Sequence, residues 1–230
     1  MNYKPLMSKN EIKRRVDWQN KCYREHLISN KRITIDFHGR KIVVLPNVFT
    51  PVPWEYNLLS RTILKEVKKT DKVLDMGTGT GIQAILASSK SNDVIAVDIN
   101  PFAVKCAKFN VKLNRLSSRI KVIQSDLFEN IKGKFDVVIF DPPFRWTKAR
   151  DIWETSCADE NYTTMNRFFS QIMNYINPEG RILIHFGTSG DLSYLKEVIR
   201  KNGFKRKQIF KNNKSGWTYF SYRLTHKINT

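Results

Sequence analysis

The sequence predicts an α/β protein with a doubly wound, mostly parallel sheet, and two observations lead to this fold class. From residue 72 onward, short runs rich in Val and Ile recur between longer amphipathic stretches, the pattern of buried parallel strands alternating with helices. A glycine-rich turn follows the first of these runs, as it does in nucleotide-binding βαβ units. With 230 residues, the chain is long enough to bury the core of one such domain.

The Val- and Ile-rich runs predict five buried strands, at residues 73–76, 94–97, 120–123, 135–140 and 181–186. Helices are predicted between and after them, at residues 80–88, 101–113, 160–176 and 192–202. Two further strand-like stretches, 204–210 and 217–222, flank a segment of turn-forming residues, so we expect a terminal antiparallel hairpin. The five strands and this hairpin would make a sheet of seven.

The first part of the chain predicts a small extension in front of this sheet. Residues 8–28 are basic with loosely spaced apolar positions, which favours a helix. Two β-branched runs, 32–37 and 41–45, flank His38-Gly39 and predict a hairpin. After a proline-rich loop, residues 54–67 predict another helix. We therefore divide the chain into an extension, residues 1–47, and a main domain, residues 48–230.

The chain carries an excess of positive charge, with 40 Lys plus Arg against 21 Asp plus Glu and a formal net charge of +19. Such a surface attracts polyanions through counterion release, which favours RNA or a ribosomal particle as partner. The alternative is a lysine-rich surface that serves only solubility. The excess lies at both ends of the chain, and between residues 196 and 230 only Glu197 opposes ten basic residues. Basic flanks around a balanced middle favour a large anionic partner.

The sequence carries no signal for a membrane or for export. No apolar run approaches the ~20 residues that cross a bilayer, and no apolar segment of a secretory signal follows the amino terminus. The three cysteines are odd in number and far apart, which fits neither a disulfide framework nor a zinc site. The four histidines are also scattered, so we assign no metal. We expect a cytoplasmic protein.

The glycine-rich turn has the sequence Gly77-Thr78-Gly79-Thr80-Gly81 and follows Asp75 at the end of the first strand. The glycines permit a tight turn and the close approach of backbone amides to a ligand. The spacing differs from the dinucleotide fingerprint, and the Asp75 carboxylate would repel a pyrophosphate. A carboxylate at this position suits a cationic or hydrogen-bond-donating ligand, such as the ammonium of a methionine moiety.

Two more acids follow later strands. Asp98 ends the second strand about 20 residues after the glycine turn, where an acid can accept hydrogen bonds from both ribose hydroxyls. Asp126 follows the third strand and could accept the adenine amino group beside the apolar Leu127 and Ile99. Singly, Asp75 and Asp98 could be helix caps and Asp126 a turn residue. Their common order and spacing favour one nucleotide ligand.

In this order of motifs the chain resembles the class I S-adenosylmethionine-dependent methyltransferases, from about residue 48 to its end. The resemblance implies a Rossmann-like fold and S-adenosyl-L-methionine as cofactor. It implies the following cofactor-binding residues: Asp75, Gly77, Thr78, Gly79, Gly81, Asp98, Ile99, Asn100, Asp126 and Leu127.

The fourth strand ends in Asp141-Pro142-Pro143-Phe144, at the end of the sheet where α/β proteins bind ligands. This tetrapeptide resembles the loop of methyltransferases that modify planar amino nitrogens, either exocyclic amines of nucleic-acid bases or the amide of glutamine. Such a nitrogen attacks a sulfonium poorly, because its lone pair is delocalised. Asp141 and the Pro142 carbonyl could accept its N–H bonds and favour the reactive geometry, while Phe144 could stack on the flat substrate. The alternative is a purely structural turn.

The segment around Thr50 and Pro51, with Glu55, resembles the one before the glycine turn in small-domain methyltransferases and in release-factor glutamine methyltransferases. The resemblance implies that it forms one wall of the cofactor site. Trp146 and Trp153 follow the Asp-Pro-Pro-Phe loop among basic residues, where they could meet a base or could simply pack.

Four functions stay open from the sequence. The leading hypothesis is methylation of an exocyclic base amine in ribosomal or transfer RNA, because the loop resembles that of rRNA guanine methyltransferases and the flanks are basic. A second is methylation of glutamine in a translation factor, although that family usually has Asn where this chain has Asp141. A third is methylation of a small amine metabolite, with residues 145–161 as a lid. A cofactor-binding scaffold or RNA binder without catalysis is the fourth.

Overall fold

A seven-stranded sheet runs through the computed structural model, which describes residues 3–53 and 57–226. Its strands are β3 (Lys72–Met76), β4 (Asp93–Asp98), β5 (Ile120–Gln124), β6 (Phe135–Phe140), β7 (Ile176–Gly187), β8 (Phe204–Lys214) and β9 (Trp217–His226). They lie in the order β5-β4-β3-β6-β7-β9-β8. The first five in this order are parallel, and β9 and β8 are antiparallel to their neighbours. The predicted fold class is confirmed, including the terminal hairpin.

Six α-helices accompany the sheet within the described residues: α1 (Lys9–Ser29), α2 (Leu58–Glu66), α3 (Ile82–Ala87), α4 (Pro101–Leu113), α5 (Thr163–Gln171) and α6 (Leu192–Lys201). The predicted helix at 101–113 has the observed bounds, because Asn100 caps it and Pro101 opens it. The first three residues of the helix predicted at 54–67 lie outside the described residues.

The prediction of one helix over residues 160–176 is wrong. Asn161 and Tyr162 have φ angles of 56° and 54°, and this left-handed backbone cannot continue a helix, so α5 begins only at Thr163. At the other end, Ile176 already pairs with Phe135 as the first residue of β7. Short 3₁₀ turns fill the remaining positions.

Both hairpins turn on two residues with positive φ. In the extension, β1 (Ile33–Phe37) and β2 (Arg40–Val44) are joined by His38 and Gly39, as predicted. In the terminal hairpin the turn is Ser215-Gly216, with φ angles of 52° and 76°. Two-residue turns of this kind match the twist of the flanking strands. Both strands of the terminal hairpin extend beyond the predicted ranges 204–210 and 217–222.

The core lies on both faces of the sheet. On one face, α5 and α6 pack their apolar side chains against the strands, with Phe168 and Leu195 fully buried. On the other face, the core includes α2, α3 and the extension's own hairpin, through Phe37 and Ile42. The hairpin thus shares a core with the sheet, and the division of the chain at residue 47 stays a prediction. No helix in the two described ranges is long and apolar enough to span a membrane.

One buried side chain ties the hairpin to the glycine turn. Asn110, on α4, donates from Nδ2 to the carbonyls of Val43 (2.7 Å) and Thr80 (2.9 Å), and its Oδ1 accepts from the Val43 N–H (2.8 Å). The Val43 N–H, the Val43 carbonyl and the distant Thr80 carbonyl therefore depend on one amide for hydrogen bonds.

Replacing Asn110 with alanine should lower the free energy of unfolding by about 3 kcal/mol, because buried backbone donors and acceptors lose their partner. Asn114 on the same helix is the matched control, since its Nδ2 bonds to Lys41 and Asn110 lie nearer the surface. Asn114→Ala should cost less than about 1 kcal/mol. Urea denaturation of the two variants measures both values, and equal losses would contradict the role of Asn110.

Candidate active site

The register of the sheet brings the predicted acids to one edge. Met76 pairs with Val97 on one side and with Phe140 on the other, so β3, β4 and β6 end side by side. Asp98 therefore ends its strand beside the glycine turn, and Asp141 follows directly on the other side. This is the carboxyl edge of the parallel strands, where an α/β sheet offers its ligand crevice.

The glycine turn has the backbone conformation that the sequence predicts. Gly77, Gly79 and Gly81 have φ angles of 72°, 56° and 83°, which residues with a side chain rarely adopt. At Gly81 a Cβ would also lie 3.2 Å from the Cα and the Cβ of Ala107 on α4. The Thr78 N–H donates to the Val97 carbonyl at 2.8 Å, which holds the turn over the end of β4.

Asp75 lies beneath this turn and is only 2% exposed. Its Oδ2 accepts from the Thr78 hydroxyl (2.5 Å) and from the Ala84 N–H (3.1 Å). Burial raises the pKa of Asp75 to about 7 and the nearby Asp98 charge adds to this, while the two hydrogen bonds act in the opposite direction. Asp75 therefore gains its charge more readily when a cation is near.

Asp98 is bound by backbone donors. Its Oδ2 accepts from the Gly79 N–H (2.8 Å) and its Oδ1 from the Asn100 N–H (2.9 Å), while burial raises its pKa. Ile99 beside it is 51% exposed and lies at the surface of the crevice. Asn100 caps α4 through the Phe102 N–H and donates to the Asn47 carbonyl at 2.9 Å, so it also has a structural task.

Asp126 forms an ion pair that the sequence did not predict. Both of its carboxylate oxygens accept from Arg167 Nη1 on α5, at 3.1 and 2.9 Å. Leu127 is buried and has a φ of 48°. Arg167 thus holds the Asp126 carboxylate from the side of the sheet on which α5 packs.

Asp141 differs from the other acids because its surface is open to water. It is an exposed residue, yet the surrounding protein and the Asp75 charge raise its pKa to about 7. The two observations agree if the carboxylate lies on the wall of a crevice that water enters, where the dense protein disfavours its charge. Within the described residues no hydrogen bond engages this carboxylate.

Contacts from Tyr162 and from Gly190 hold the loop that follows Asp141. Pro142 is buried, and the Phe144 carbonyl accepts from the Tyr162 hydroxyl at 2.7 Å. The same hydroxyl accepts from the Asp191 N–H at 2.7 Å, and Gly190 approaches so closely that a Cβ there would lie 2.0 Å from the Phe144 oxygen. The Phe144 ring tilts against Phe186 with centroids 4.7 Å apart. Pro143 and Phe144 keep partial exposure on the crevice side.

Sequence reasoning missed Tyr162. It lies 18 residues beyond Phe144 and is fully buried in left-handed backbone, a conformation that costs a residue with a side chain about 1 kcal/mol or more. The sequence around it has no motif. Only the contact with the Phe144 carbonyl marks it as a support of the loop.

Helix α1 covers the segment that follows the loop. The buried Glu154 accepts from Gln19 Nε2 of α1 (2.8 Å) and from the backbone N–H of Arg150 (2.8 Å), and it pairs with the Arg150 guanidinium. Trp153 stacks on His26 of α1 at 3.8 Å between centroids. Trp153 is therefore a packing residue, the alternative that the sequence also allowed.

Thr50 and Pro51 lie at the end of the loop that follows the first hairpin. Thr50 borders a cleft of about 220 Å³ between α1, that loop and Trp153. Thr50 therefore lies near Trp153, in the segment that α1 covers. Glu55, the acid associated with them in the sequence, lies outside the described residues.

A second, basic cleft of about 340 Å³ lies where α1 meets the terminal hairpin. Arg14 and Trp18 line it, and the Arg14 guanidinium lies 4.2 Å above the Trp217 ring. Lys21 and Arg24 add positive charge to its rim. Among residues 3–53 and 57–226, no group of His, Cys, Asp and Glu side chains could hold a metal ion.

Comparison with known proteins identifies the family. The family model of the methyltransferase small domain matches residues 40–211. A putative protein N5-glutamine methyltransferase of Methanocaldococcus jannaschii is 35% identical over 174 residues, which are 73% of this chain and 84% of the relative. A ribosomal protein L11 methyltransferase of Bacillus velezensis is 34% identical over 143 residues, 60% of this chain and 39% of the relative.

A solved structure supports the fold. Trm5 of Methanocaldococcus jannaschii in complex with adenosine superposes with a TM-score of 0.64 at 21% identity, over 86% of this chain and 55% of that chain. At this identity the likeness concerns the fold alone, whereas the match to the family model covers the glycine turn and the Asp-Pro-Pro-Phe loop. The chain therefore belongs to the methyltransferase small domain family, and it is an S-adenosylmethionine-dependent methyltransferase.

Proposed function

We propose that this methyltransferase transfers the methyl group to a planar amino nitrogen, and that the acceptor is an exocyclic base amine of ribosomal or transfer RNA. The open carboxylate of Asp141 is the observation that carries the proposal. It lies at the carboxyl edge of the sheet next to the glycine turn, and no side chain or backbone group of the described residues occupies it. An amino group is the donor that such an acceptor lacks.

The residues around the glycine turn fit the cofactor. Asp75 and Asp141 are crowded carboxylates with raised pKa values, and no Lys or Arg of the described residues pairs with either, which suits the ammonium and the sulfonium of S-adenosylmethionine. We assign Asp98 to the ribose hydroxyls, which would compete for the bonds that the Gly79 and Asn100 amides now donate. Asp126 would accept from the adenine amino group with the lone pairs that Arg167 leaves free.

When bound, the cofactor supplies an electrophilic methyl group. Asp141 and the Pro142 carbonyl accept the two N–H bonds of the incoming amine, which aligns its lone pair for attack. As the new N–C bond forms and the S–C bond breaks, positive charge grows on the nitrogen, and the carboxylate stabilises it. The proton then passes to Asp141, whose raised pKa makes it a competent proton acceptor near neutral pH.

The charge distribution supports RNA as the acceptor. The formal net charge is +19, and the basic cleft of Arg14, Trp18, Lys21 and Arg24 joins cations to a flat ring on α1. Cations track a phosphate backbone while rings stack on bases. The same helix covers the segment after the Asp-Pro-Pro-Phe loop, so the cleft and the loop share one scaffold.

Glutamine is the second candidate acceptor, and one observation favours it. The Methanocaldococcus jannaschii relative that aligns over 84% of its length is a putative protein N5-glutamine methyltransferase. The side-chain amide of glutamine is also a planar nitrogen, so the same carboxylate and carbonyl could bind it.

Cofactor affinity should depend on the charge of Asp75. Because its pKa is about 7 without a cation, a proton must leave before the ammonium binds at lower pH. The Kd for S-adenosylmethionine should therefore rise as the pH falls below about 7, by up to about tenfold per pH unit. Asp75→Asn should bind more weakly and with a flatter pH dependence, and titration calorimetry measures both. Asp36→Asn, which changes an exposed acid of β1, should keep the wild-type profile; a pH-independent wild-type Kd would contradict the assignment.

The acceptor and the role of Asp141 are tested in one experiment. Tritiated cofactor is incubated with RNA, protein and small-molecule fractions of a strain that lacks the protein. We expect label in RNA, a loss of about 10²-fold or more in kcat for Asp141→Ala, and a smaller loss for Asp141→Asn, which keeps a hydrogen-bond acceptor but no base. A thermal melting curve like that of the wild type, followed by circular dichroism, controls for folding in both variants. Label only in protein would replace RNA by the glutamine candidate, and an active Asp141→Ala would overturn the mechanism.

A further inference from the structure

A group of buried polar atoms without partners lies beside the Asp-Pro-Pro-Phe loop. Within the described residues, four buried side-chain atoms lack a hydrogen bond, and three of them belong to Arg145 (Nε), His185 (Nδ1) and Ser189 (Oγ). Buried polar groups nearly always have partners, so three in one region point to a missing ligand.

The three side chains surround the rings of Phe144 and Tyr219. His185 lies on β7, and its ring centroid is 5.6 Å from that of Phe144 and 5.8 Å from that of Tyr219. Arg145 directly follows Phe144, and Ser189 precedes Gly190, at which a Cβ would lie 2.0 Å from the Phe144 oxygen. Burial raises the pKa of Tyr219, while the Arg145 charge and the Ser189 hydroxyl act in the opposite direction. The group thus lines the acceptor side of the loop.

Arg145 is the exception among the buried cations of the described chain. It is 8% exposed, and its guanidinium forms no ion pair or hydrogen bond within the described residues. By contrast, Arg181, whose side chain is 11% exposed, pairs with Asp71 at 2.5 Å, and Arg223, the fourth residue with an unpartnered buried atom (Nε), still pairs with Glu66 through Nη1 at 3.2 Å. A buried charge without a counterion is costly, so an anion that enters here gains strongly.

We propose that Arg145, with Ser189 and His185, forms a subsite for a backbone phosphate of the RNA acceptor, next to the nucleotide whose base reaches Asp141. This inference rests on the proposed function. The Arg145 fork can bind two phosphate oxygens, and the Ser189 hydroxyl can donate to a third. Burial lowers the pKa of His185 to about 4, while the Phe220 backbone acts in the opposite direction, so its neutral ring contributes Nδ1 as a hydrogen-bonding group without a second charge.

The position of Arg145 favours phosphate over a carboxylate. Burial raises the pKa of Cys22 on α1 and the Arg145 charge opposes this shift, so Arg145 lies near the helix that carries Arg14, Lys21 and Arg24, with Asp17 among them. Positive charge therefore continues from the basic cleft to the loop, as the repeated charges of a polynucleotide require. A ligand with a single carboxylate would pair with Arg145 and would not use the positive charge of the cleft.

The test compares nucleosides with their 5′-monophosphates. With S-adenosylhomocysteine saturating the cofactor site, calorimetry or NMR titration measures the Kd of adenosine, cytidine and guanosine and of each monophosphate. Wild type should bind at least one monophosphate about tenfold or more tightly than its nucleoside. Arg145→Gln should lose this preference, Arg145→Lys should keep part of it, and Lys205→Gln, an exposed β8 residue at the opposite edge, should keep all of it.

Thermal stability separates a binding role from a structural one. If Arg145 is an unpaired buried charge, Arg145→Gln should keep or raise the Tm without ligand and lose the Tm increase that a monophosphate gives wild type. A lowered Tm together with a retained phosphate preference would overturn the subsite.

The remaining outcomes separate this inference from the proposed function. Equal affinity for nucleoside and monophosphate would overturn the subsite and leave RNA methylation standing. Binding of neither would also overturn the subsite, whereas RNA methylation is decided separately by the label in the RNA fraction. The affinity for N-acetylglutamine, which has a free carboxylate, is compared with that for its amide, which has none. If Arg145 favoured this acid over its amide and did not favour the nucleotides over the nucleosides, a protein carboxylate would replace phosphate as the ligand.

Discussion

The crowding of carboxylates at one edge of the sheet is the constraint on which the rest of the site depends. Burial raises the pKa values of Asp75 and Asp141; the Asp98 charge adds to the shift of Asp75, and the Asp75 charge adds to that of Asp141. Without a cation these charges oppose each other in a crowded environment. A ligand with a sulfonium and an ammonium relieves this repulsion, so the edge is built for a cationic nucleoside. In the function that we propose, Asp141 then binds the second substrate.

The acceptor side is built by parts of the chain that lie far from the sheet motifs in sequence. Tyr162 holds the Phe144 carbonyl, and α1 is fixed to the following segment through the buried Glu154. Glu154 keeps a lowered pKa because Arg150, Gln19 and a backbone amide stabilise its charge against burial. Since the folded pKa is depressed, this stabilisation is present above the unfolded pKa and is lost only as the pH falls through the folded value. The covering helix is therefore held at neutral pH.

Local patterns were sufficient to predict the sheet and the cofactor edge. The glycine turn and Asp141 each follow a buried strand directly, so strand periodicity places them at the carboxyl edge without knowledge of contacts. Helix α4 was equally predictable, because Asn100 and Pro101 mark its start.

Contacts between distant residues could not be predicted in this way. Arg167 meets Asp126 across 41 positions, and Gln19 meets Glu154 across 135. Asn161 adopts left-handed backbone readily, but at Tyr162 this conformation is imposed by the packing around the residue, so the helix predicted at 160–176 began too early. Arg145 looked like one basic residue among many until its burial without a counterion was seen.

The identity of the methylated atom tests the central claim most directly. RNA labelled by the wild-type enzyme is digested to nucleosides, and the modified nucleoside is identified by mass spectrometry against synthetic standards. We expect the methyl group of the modified nucleoside on an exocyclic amino nitrogen of adenine, cytosine or guanine, because the open carboxylate of Asp141 can accept hydrogen bonds from an amino group. A methyl group on a ribose oxygen or on a ring carbon, neither of which offers an amine to that carboxylate, would contradict the account.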